Sequence, residues 1–177
     1  MKKPTDLLKL IVNKDNIIPC FAGFWQHKLQ IHITDCNWNL AKKCTKEIRL
    51  LVLRWKILLN IYPTNILLHR MGISENRNCK FCTDEIDYIE HFFWSCGKIN
   101  LIWKKVEEYA YLKFDKSIKL ELKDVLFGYN ETENGSDVLA INHVILIAKM
   151  CISKYRYCKY FDLFFLFERE LRLRNAQ

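Results

Sequence analysis

Four residues near the middle of the chain have the types and the spacing of a complete metal site. They are Cys79, Cys82, His91 and Cys96, in the pattern C-x2-C-x8-H-x4-C. Three thiolates and one imidazole fill the tetrahedral shell that zinc prefers and leave no position for water. Because a closed shell supports structure rather than catalysis, the pattern predicts one structural Zn2+ ion at these four residues.

Other interpretations of these residues are weaker. A redox-active dithiol at Cys79 and Cys82 needs a βαβ context, which the sequence does not show. Chance explains poorly why four ligand-type residues fall within residues 79–96. The other five cysteines are expected to be ordinary buried thiols: Cys20, Cys36, Cys44, Cys151 and Cys158. Four acids inside the motif are expected to be solvated or to lie near a helix N-terminus, since the shell is already full: Asp84, Glu85, Asp87 and Glu90.

The elements that must hold these ligands are predicted to be helices. Gly (5) and Pro (3) are scarce, which argues against a many-stranded fold. Apolar residues recur at three- and four-residue intervals over 42–60, 97–114 and 138–160, so each range predicts a helix. The range 138–160 is apolar around most of its circumference and should be buried, with the aromatic run 161–167 packed beside it.

The predicted helix over 42–60 has two different faces. One face is apolar, and a narrow arc elsewhere carries polar residues: Lys42, Lys46, Arg49, Lys56 and Asn60. The arc is either an ordinary solvated face or a surface for a polyanion. After Pro63, we expect a short helix that Thr64 or Asn65 begins and Gly72 ends.

We therefore predict a mainly α fold: a small helical domain with an embedded CCHC zinc knuckle, followed by a C-terminal helical segment. The predicted division has four parts: an upstream segment of unassigned structure over 1–40, a helical zinc-binding domain over 41–114, a polar linker over 115–137, and the C-terminal helical segment over 138–177. Trp25 and Trp38 are expected to be the apolar anchors of the first part.

The net charge and the targeting signals limit which partners and compartments we expect for the chain. The formal net charge is +8, which favours partners such as RNA or DNA, although ordinary solubility also explains it. We find no signal peptide, and residues 163–167 are far shorter than a membrane span. We therefore expect an intracellular chain with reduced thiols and no membrane partner. In that compartment the sequons at Asn130 and Asn134 have no role.

The sequence also offers no constellation typical of an enzyme. It lacks a phosphate-binding G-x-x-x-x-G-K-[ST] loop, a dinucleotide-binding G-x-G-x-x-G, a metalloprotease H-E-x-x-H and the Tyr-x-Asp-Asp of polymerases. The remaining histidines lie on or beside apolar stretches and are expected to be core or surface residues: His27, His32, His69 and His143. We predict that the chain is not an enzyme.

The residues around the motif resemble the zinc-binding region of LINE-type non-LTR retrotransposon reverse transcriptases. The resemblance lies in the runs Trp55–Asn60, Asn65–Ile73 and Ile89–Cys96, the pair Cys79 and Cys82, and Trp103. It covers about residues 45–106, and the stretch 142–156 is similar to a following helix of the family. One departure is Gly97, which stands where the family usually has Pro.

The resemblance implies zinc ligation at the four residues and a role in binding element RNA or target DNA during target-primed reverse transcription. It also implies that the chain is the C-terminal piece of a polyprotein, with polymerase and endonuclease elsewhere. The candidate phosphate contacts are Lys42, Lys46, Arg49, Lys56, Arg70, Arg77, Lys80, Lys149, Arg156 and Arg172. The alternatives are a protein-interaction module that docks on the polymerase domain, and a decayed fragment without independent function. The implied location is the nucleus, a cytoplasmic ribonucleoprotein, or both.

Overall fold

The computed structural model describes residues 21–30, 35–130, 135–157 and 162–175. These ranges are mostly helical, and the only extended pairing within them is an isolated antiparallel bridge between Asn78 and Ile86. The helices are α1 Phe21–Leu29, α2 Asp35–Cys44, α3 Ile48–Leu58, α4 Asn65–Arg70, a π-helical turn His91–Ser95, α5 Asn100–Phe114, α6 Leu122–Phe127, α7 Ser136–Tyr155 and α8 Leu163–Asn175. The prediction of a mainly α fold is confirmed.

The centre of the fold is α7, against which α2, α3, α5 and α8 pack. Its sequence is apolar around most of the helix, so it can bury several faces at once. By length and composition α7 could also cross a membrane, with a mean hydropathy of 1.5, but 67% of it is buried inside the fold, as in a core helix. The aromatic run packs beside it as predicted, since Leu163, Leu166 and Phe167 of α8 are buried.

Two helices lie wholly or partly in the N-terminal region that the sequence left unassigned. Trp25 of α1 is buried, as expected of an anchor, and its indole N–H donates to the Leu58 carbonyl at 2.7 Å. This hydrogen bond fixes α1 against the end of α3. Residues 1–20, and the side chains of Trp38 and Cys36, lie outside the described part of the chain.

The prediction of a single helix over 42–60 is wrong at its N-terminal end. Lys42 belongs to α2, residues 45–47 are not helical, and α3 begins at Ile48. The Thr45 hydroxyl accepts the Glu47 N–H at 3.1 Å, a local bond that competes with the helical ladder. Arg174 of α8 then holds Glu47 with two charge-assisted bonds of 2.8 and 3.0 Å. The basic arc is therefore divided between two helices.

Another helix, α6, lies inside the range 115–137 that was predicted to be a polar linker. Glu121 and Asp124 form a capping box at its N-terminus, and Val125, Leu126 and Phe127 are buried. The pattern Glu-x-x-Asp before an apolar run was the sequence signal for it. The division of the chain into four parts stays a prediction, although one hydrophobic core includes residues from α1 to α8.

Two buried basic side chains meet the C-terminal end of α6. Arg54 donates to the Phe127 carbonyl at 2.7 Å, and the Lys149 ammonium lies 3.4 Å from the Leu126 carbonyl. Free carbonyls and the helix dipole make a helix C-terminus a favourable place for positive charge. Lys149 has no exposed surface, so its prediction as a phosphate contact is wrong. It lies on the face of α7 that the rest of the core covers.

Replacing Lys149 with Met is expected to stabilise the protein. Burial lowers the pKa of the Lys149 ammonium well below its usual value. Met keeps the unbranched shape without a buried amine, so the free energy of unfolding at pH 7 should rise by about 1–2 kcal/mol. Urea unfolding monitored by circular dichroism measures the change, and exposed Lys119→Met is the matched control.

The pH dependence of that difference has a definite sign. The unfolded chain keeps this lysine protonated up to about pH 10.4, whereas the folded chain disfavours the charged form. Lys149 therefore lowers the free energy of unfolding of the wild type more and more as pH falls below the unfolded pKa, and this loss is recovered as pH rises. The advantage of Lys149→Met should shrink between pH 7 and 9, by at most about 1.4 kcal/mol per unit. An advantage that grows with pH contradicts this account.

Candidate metal centre

The first two metal-ligating residues lie on a tight loop closed by backbone hydrogen bonds. The Cys79 N–H donates to the Glu85 carbonyl at 2.7 Å, and the Thr83 N–H donates to the Cys79 carbonyl at 3.0 Å. Thr83 has a positive φ of 64°, which lets the chain reverse right after Cys82. The loop therefore points both thiols to the same side.

The other two ligands are brought together by a π-helical turn. On a regular α-helix, positions five apart lie about 140° from each other around the axis. Here the Cys96 N–H donates to the His91 carbonyl at 3.1 Å, a bond between residues five apart. This wider turn over His91–Ser95 brings Cys96 back to the side of His91.

The four side chains meet at one point. Their ligand atoms all lie within 4.8 Å of one another. The Sγ atoms of Cys79 and Cys96 are 3.9 Å apart, and Cys82 Sγ is 3.3 Å from His91 Nε2. Tetrahedral zinc, with Zn–S bonds of about 2.3 Å and Zn–N bonds of about 2.0–2.1 Å, separates two sulfurs by about 3.8 Å and a sulfur from a nitrogen by about 3.6 Å. The residues fit one zinc ion, held by three Sγ atoms and His91 Nε2.

The thiols have different environments around this point. Burial raises the pKa of Cys96 to about 12 and also raises the pKa of Cys79. Burial also acts to raise the pKa of Cys82, but hydrogen bonds from the backbone of Glu85 and Asp84 outweigh it and bring the value to about 7. The Phe81 N–H points at Cys79 Sγ over 3.4 Å. Amides directed at sulfur are the support that metal-bound thiolates receive from neighbouring groups.

The free nitrogen of His91 has its own partners. The Nδ1 atom lies 3.1 Å from the Glu85 carboxylate and 3.3 Å from the Ser95 hydroxyl. When Nε2 binds zinc it carries no hydrogen, so Nδ1 then carries the ring hydrogen and donates it, which is the carboxylate–histidine arrangement common at zinc sites. Glu85 was expected to be solvated or to lie near a helix N-terminus, and its contact with His91 was not predicted. The spacing of His91 and Cys96 in the sequence does not predict the contact between Glu85 and His91, because that contact depends on how the loop folds back.

Asp87, expected to be solvated or to lie near a helix N-terminus, is buried at the N-terminus of α4 and connects the metal loop to the helices. Its carboxylate accepts the Asn65 N–H at 2.6 Å at the start of α4 and pairs with Arg156 at 3.1 Å. Arg156 also donates to Asn65 Oδ1 and to the Pro63 carbonyl at 3.0 Å. The Asp87 N–H donates to the Arg77 carbonyl at 2.9 Å. Both charged side chains therefore have hydrogen-bonding partners, which buried charges require, although Asp87 Oδ1 and Arg156 Nε are buried without one.

Arg156 was predicted to contact phosphate, and that prediction is wrong. Its side chain is 1% exposed, and its guanidinium lies 5.0 Å from the centre of the Phe92 ring. Arg156 lies in the range 138–160 that the sequence predicted to be a helix. The structure shows that the Arg156 side chain meets the metal loop rather than solvent, because α7 ends against Asp87 and Phe92.

Aromatic residues shield the metal centre from solvent. Phe92 and Phe93 have no exposed surface, while Trp94 is partly buried. Trp103 of α5 donates its indole N–H to the Phe93 carbonyl at 2.8 Å. Lys28 of α1 pairs with Glu90 and lies over the Tyr88 ring. These contacts join α1 and α5 to the same loop.

The other candidate residues occupy different environments. The remaining eight phosphate-contact candidates are exposed: Lys42, Lys46, Arg49, Lys56, Arg70, Arg77, Lys80 and Arg172. Cys44 and Cys151 are free thiols outside the cluster, half-buried and buried, as expected. His27 and His69 are exposed and His143 is half-buried. Cys20, Cys158 and His32 lie outside the described residues.

The comparison with known families agrees with this geometry. The model of the family described as zinc-binding in reverse transcriptase matches residues 15–103, just over half of the chain, including all four ligands. The chain belongs to this family. A search of curated protein sequences found no match. The zinc-binding family is an accessory region of reverse transcriptase rather than its catalytic part, and the Cys79, Cys82, His91 and Cys96 cluster is consistent with its one zinc ion.

Removing the metal is expected to unfold residues from about 70 to 110. A structural zinc supplies roughly 10–16 kcal/mol of apparent binding free energy, comparable with or above the ~5–15 kcal/mol net stability of a domain. Cys82→Ser should lose zinc and become sensitive to protease within this range. Cys44→Ser makes the same atom change outside the cluster and is the control. Unchanged circular dichroism and protease resistance after chelation contradict a structural role.

The contact between Glu85 and His91 predicts a measurable effect on metal affinity. Glu85→Gln removes the charge that faces Nδ1 and should weaken zinc binding about 10-fold, at the low end of such effects because Glu85 is exposed. Asp84→Asn is the matched control, since its side chain contacts Thr83 rather than the histidine. Competition with a chromophoric chelator measures both affinities. Equal losses in the two variants assign the effect to loop charge instead.

Proposed function

We propose that this chain is a zinc-stabilised accessory module that binds nucleic acid, as part of a LINE-type non-LTR reverse transcriptase. Its ligand in that setting is element RNA or target DNA during target-primed reverse transcription. The observation that supports the proposal is a set of exposed cations with no acidic partner. The catalytic steps belong to polymerase and endonuclease domains outside this chain, and its location follows theirs, in the nucleus or a cytoplasmic ribonucleoprotein.

The charge pattern distinguishes these cations from ordinary surface charge. Arg172 pairs with Glu168 at 3.2 Å. Within the described residues, no carboxylate pairs with the other seven exposed candidates: Lys42, Lys46, Arg49, Lys56, Arg70, Arg77 and Lys80. All seven lie between residues 42 and 80, in or beside the family region. Cations without acids repel one another, and a polyanion relieves that repulsion.

A second candidate function is docking on a polymerase domain. A groove of about 190 Å³ separates α5 from α8 and is lined partly by Leu112, Phe164 and Phe167. Leu112 is 76% exposed, and Phe165 beside the groove is 58% exposed. Exposed apolar side chains of this size are typical of protein contacts. The two functions use different surfaces, so they are compatible with each other, whereas a decayed fragment would show neither.

Salt dependence tests the nucleic-acid proposal. The zinc-loaded chain should bind a 20-nucleotide RNA or DNA probe with an affinity that falls steeply between about 50 and 200 mM salt, because each neutralised phosphate releases a counterion. Arg49→Ala and Lys56→Ala should each weaken binding and reduce the salt slope by about 0.7–0.9. Fluorescence anisotropy measures both quantities. Lys104→Ala, an exposed lysine on α5, is the control. An affinity that stays flat with salt contradicts the proposal.

A further inference from the structure

A groove of about 380 Å³ lies between α3 and the C-terminal end of α7. One wall is α3, with Ile48, Arg49, Val52, Leu53 and Lys56, and the opposite side is formed by the Tyr62–Pro63 turn, Ser153 and Tyr157. The Tyr62 hydroxyl and Ser153 hydroxyl are 2.8 Å apart, which fixes the turn against α7. The groove is therefore built by elements that are held in place in the fold.

The charged residues that line this groove are both basic. They are Arg49 and Lys56, two turns apart on the same side of α3. Among the described residues neither forms an ion pair. Apolar side chains of α3 line the groove with them, and Ile48 is 73% exposed and Val52 41% exposed. A cleft with apolar walls and charges of one sign complements a ligand that is flat, apolar and anionic.

An exposed aromatic ring stands at one end of the groove. Tyr157 is 65% exposed, and Lys80 of the metal loop lies 5.7 Å from the centre of its ring. Lys80 sits between the two thiol ligands Cys79 and Cys82, so the metal site positions this cation beside the ring. Arg156, the residue before Tyr157, pairs with Asp87, and its guanidinium lies 6.0 Å from the centre of the Tyr157 ring. The ring is thus placed by the metal loop.

Taken with the proposed function, on which this step rests, the geometry points to a single-stranded segment as the ligand of this groove. We propose that an unpaired base stacks on Tyr157 and that flanking phosphates pair with Lys80, Arg49 and Lys56. Aromatic rings and cations along one channel are the arrangement by which proteins hold single strands. A duplex hides the faces of its bases inside the stack, so it can use the cations but not the ring.

The test compares a single strand with a duplex on the full zinc-loaded chain. The probes are a fluorescein-labelled 12-nucleotide polyuridine strand and a 12-base-pair duplex, read by anisotropy. Tyr157→Ala should weaken binding of the single strand by about 5- to 150-fold, the range measured for loss of one stacked base. Duplex affinity should change less than about 2-fold, and the salt slope should stay that of the wild type, because no charge is removed.

Matched variants separate stacking from folding. Tyr157→Phe keeps the ring and should bind the single strand like the wild type. Tyr111→Ala removes an exposed tyrosine of α5 that does not line the groove and should have no effect. Zinc content and thermal unfolding temperature equal to the wild type establish that each variant is folded. Lys80→Ala should weaken both probes and reduce the salt slope by about 0.7–0.9.

The outcomes distinguish this inference from the proposed function. If Arg49→Ala and Lys56→Ala weaken binding but folded Tyr157→Ala binds the single strand like the wild type, the stacking site is wrong and the nucleic-acid proposal stands. If Tyr157→Ala weakens both probes equally, selectivity for single strands is wrong. If the wild type binds neither probe at 50 mM salt, both proposals fail, and a polymerase domain captured through Tyr157 would assign the groove to protein docking.

Discussion

The tetrahedral shell of one zinc ion is the constraint on which the local structure depends. Four donors have to reach one point, although two come from a loop and two from a helical segment. The loop meets this demand with a positive φ at Thr83 and a short backbone bridge. The helical segment meets it by widening into a π turn, since a regular α-helix separates His91 from Cys96 around its axis. Both departures from regular geometry occur where the ligands require them.

A shell of this kind stabilises the protein only if it is joined to a larger core. The ion pair of Asp87 with Arg156 makes this connection, because it links the metal loop to the end of the central helix α7. Asn65 completes the network at the start of α4. Breaking one partner of such a buried pair leaves an uncompensated charge, so loop and core are energetically coupled. Loss of the metal therefore affects the surface around Tyr157 as well as the ligands themselves.

Two groups of basic residues have different physical roles. Arg54, Lys149 and Arg156 are buried and contact carbonyl or carboxylate groups inside the fold. The cations of α3 and the metal loop are exposed and have no acidic partner among the described residues. A positive net charge alone cannot separate these groups. The second group is accessible to a phosphate backbone, and three of its members lie at the groove beside the metal loop: Arg49, Lys56 and Lys80.

The sequence by itself determined the metal ligands, the helical class and the helices over Asn100–Phe114 and Ser136–Tyr155, because ligand spacing and apolar periodicity are local properties. It did not determine which polar residues of α7 face solvent. That depended on where the metal loop and α6 pack, so Lys149 and Arg156 became buried. The partner of His91 was likewise decided by the tertiary structure, since Glu85 reaches Nδ1 only after the loop closes through backbone bonds that no side-chain pattern reports.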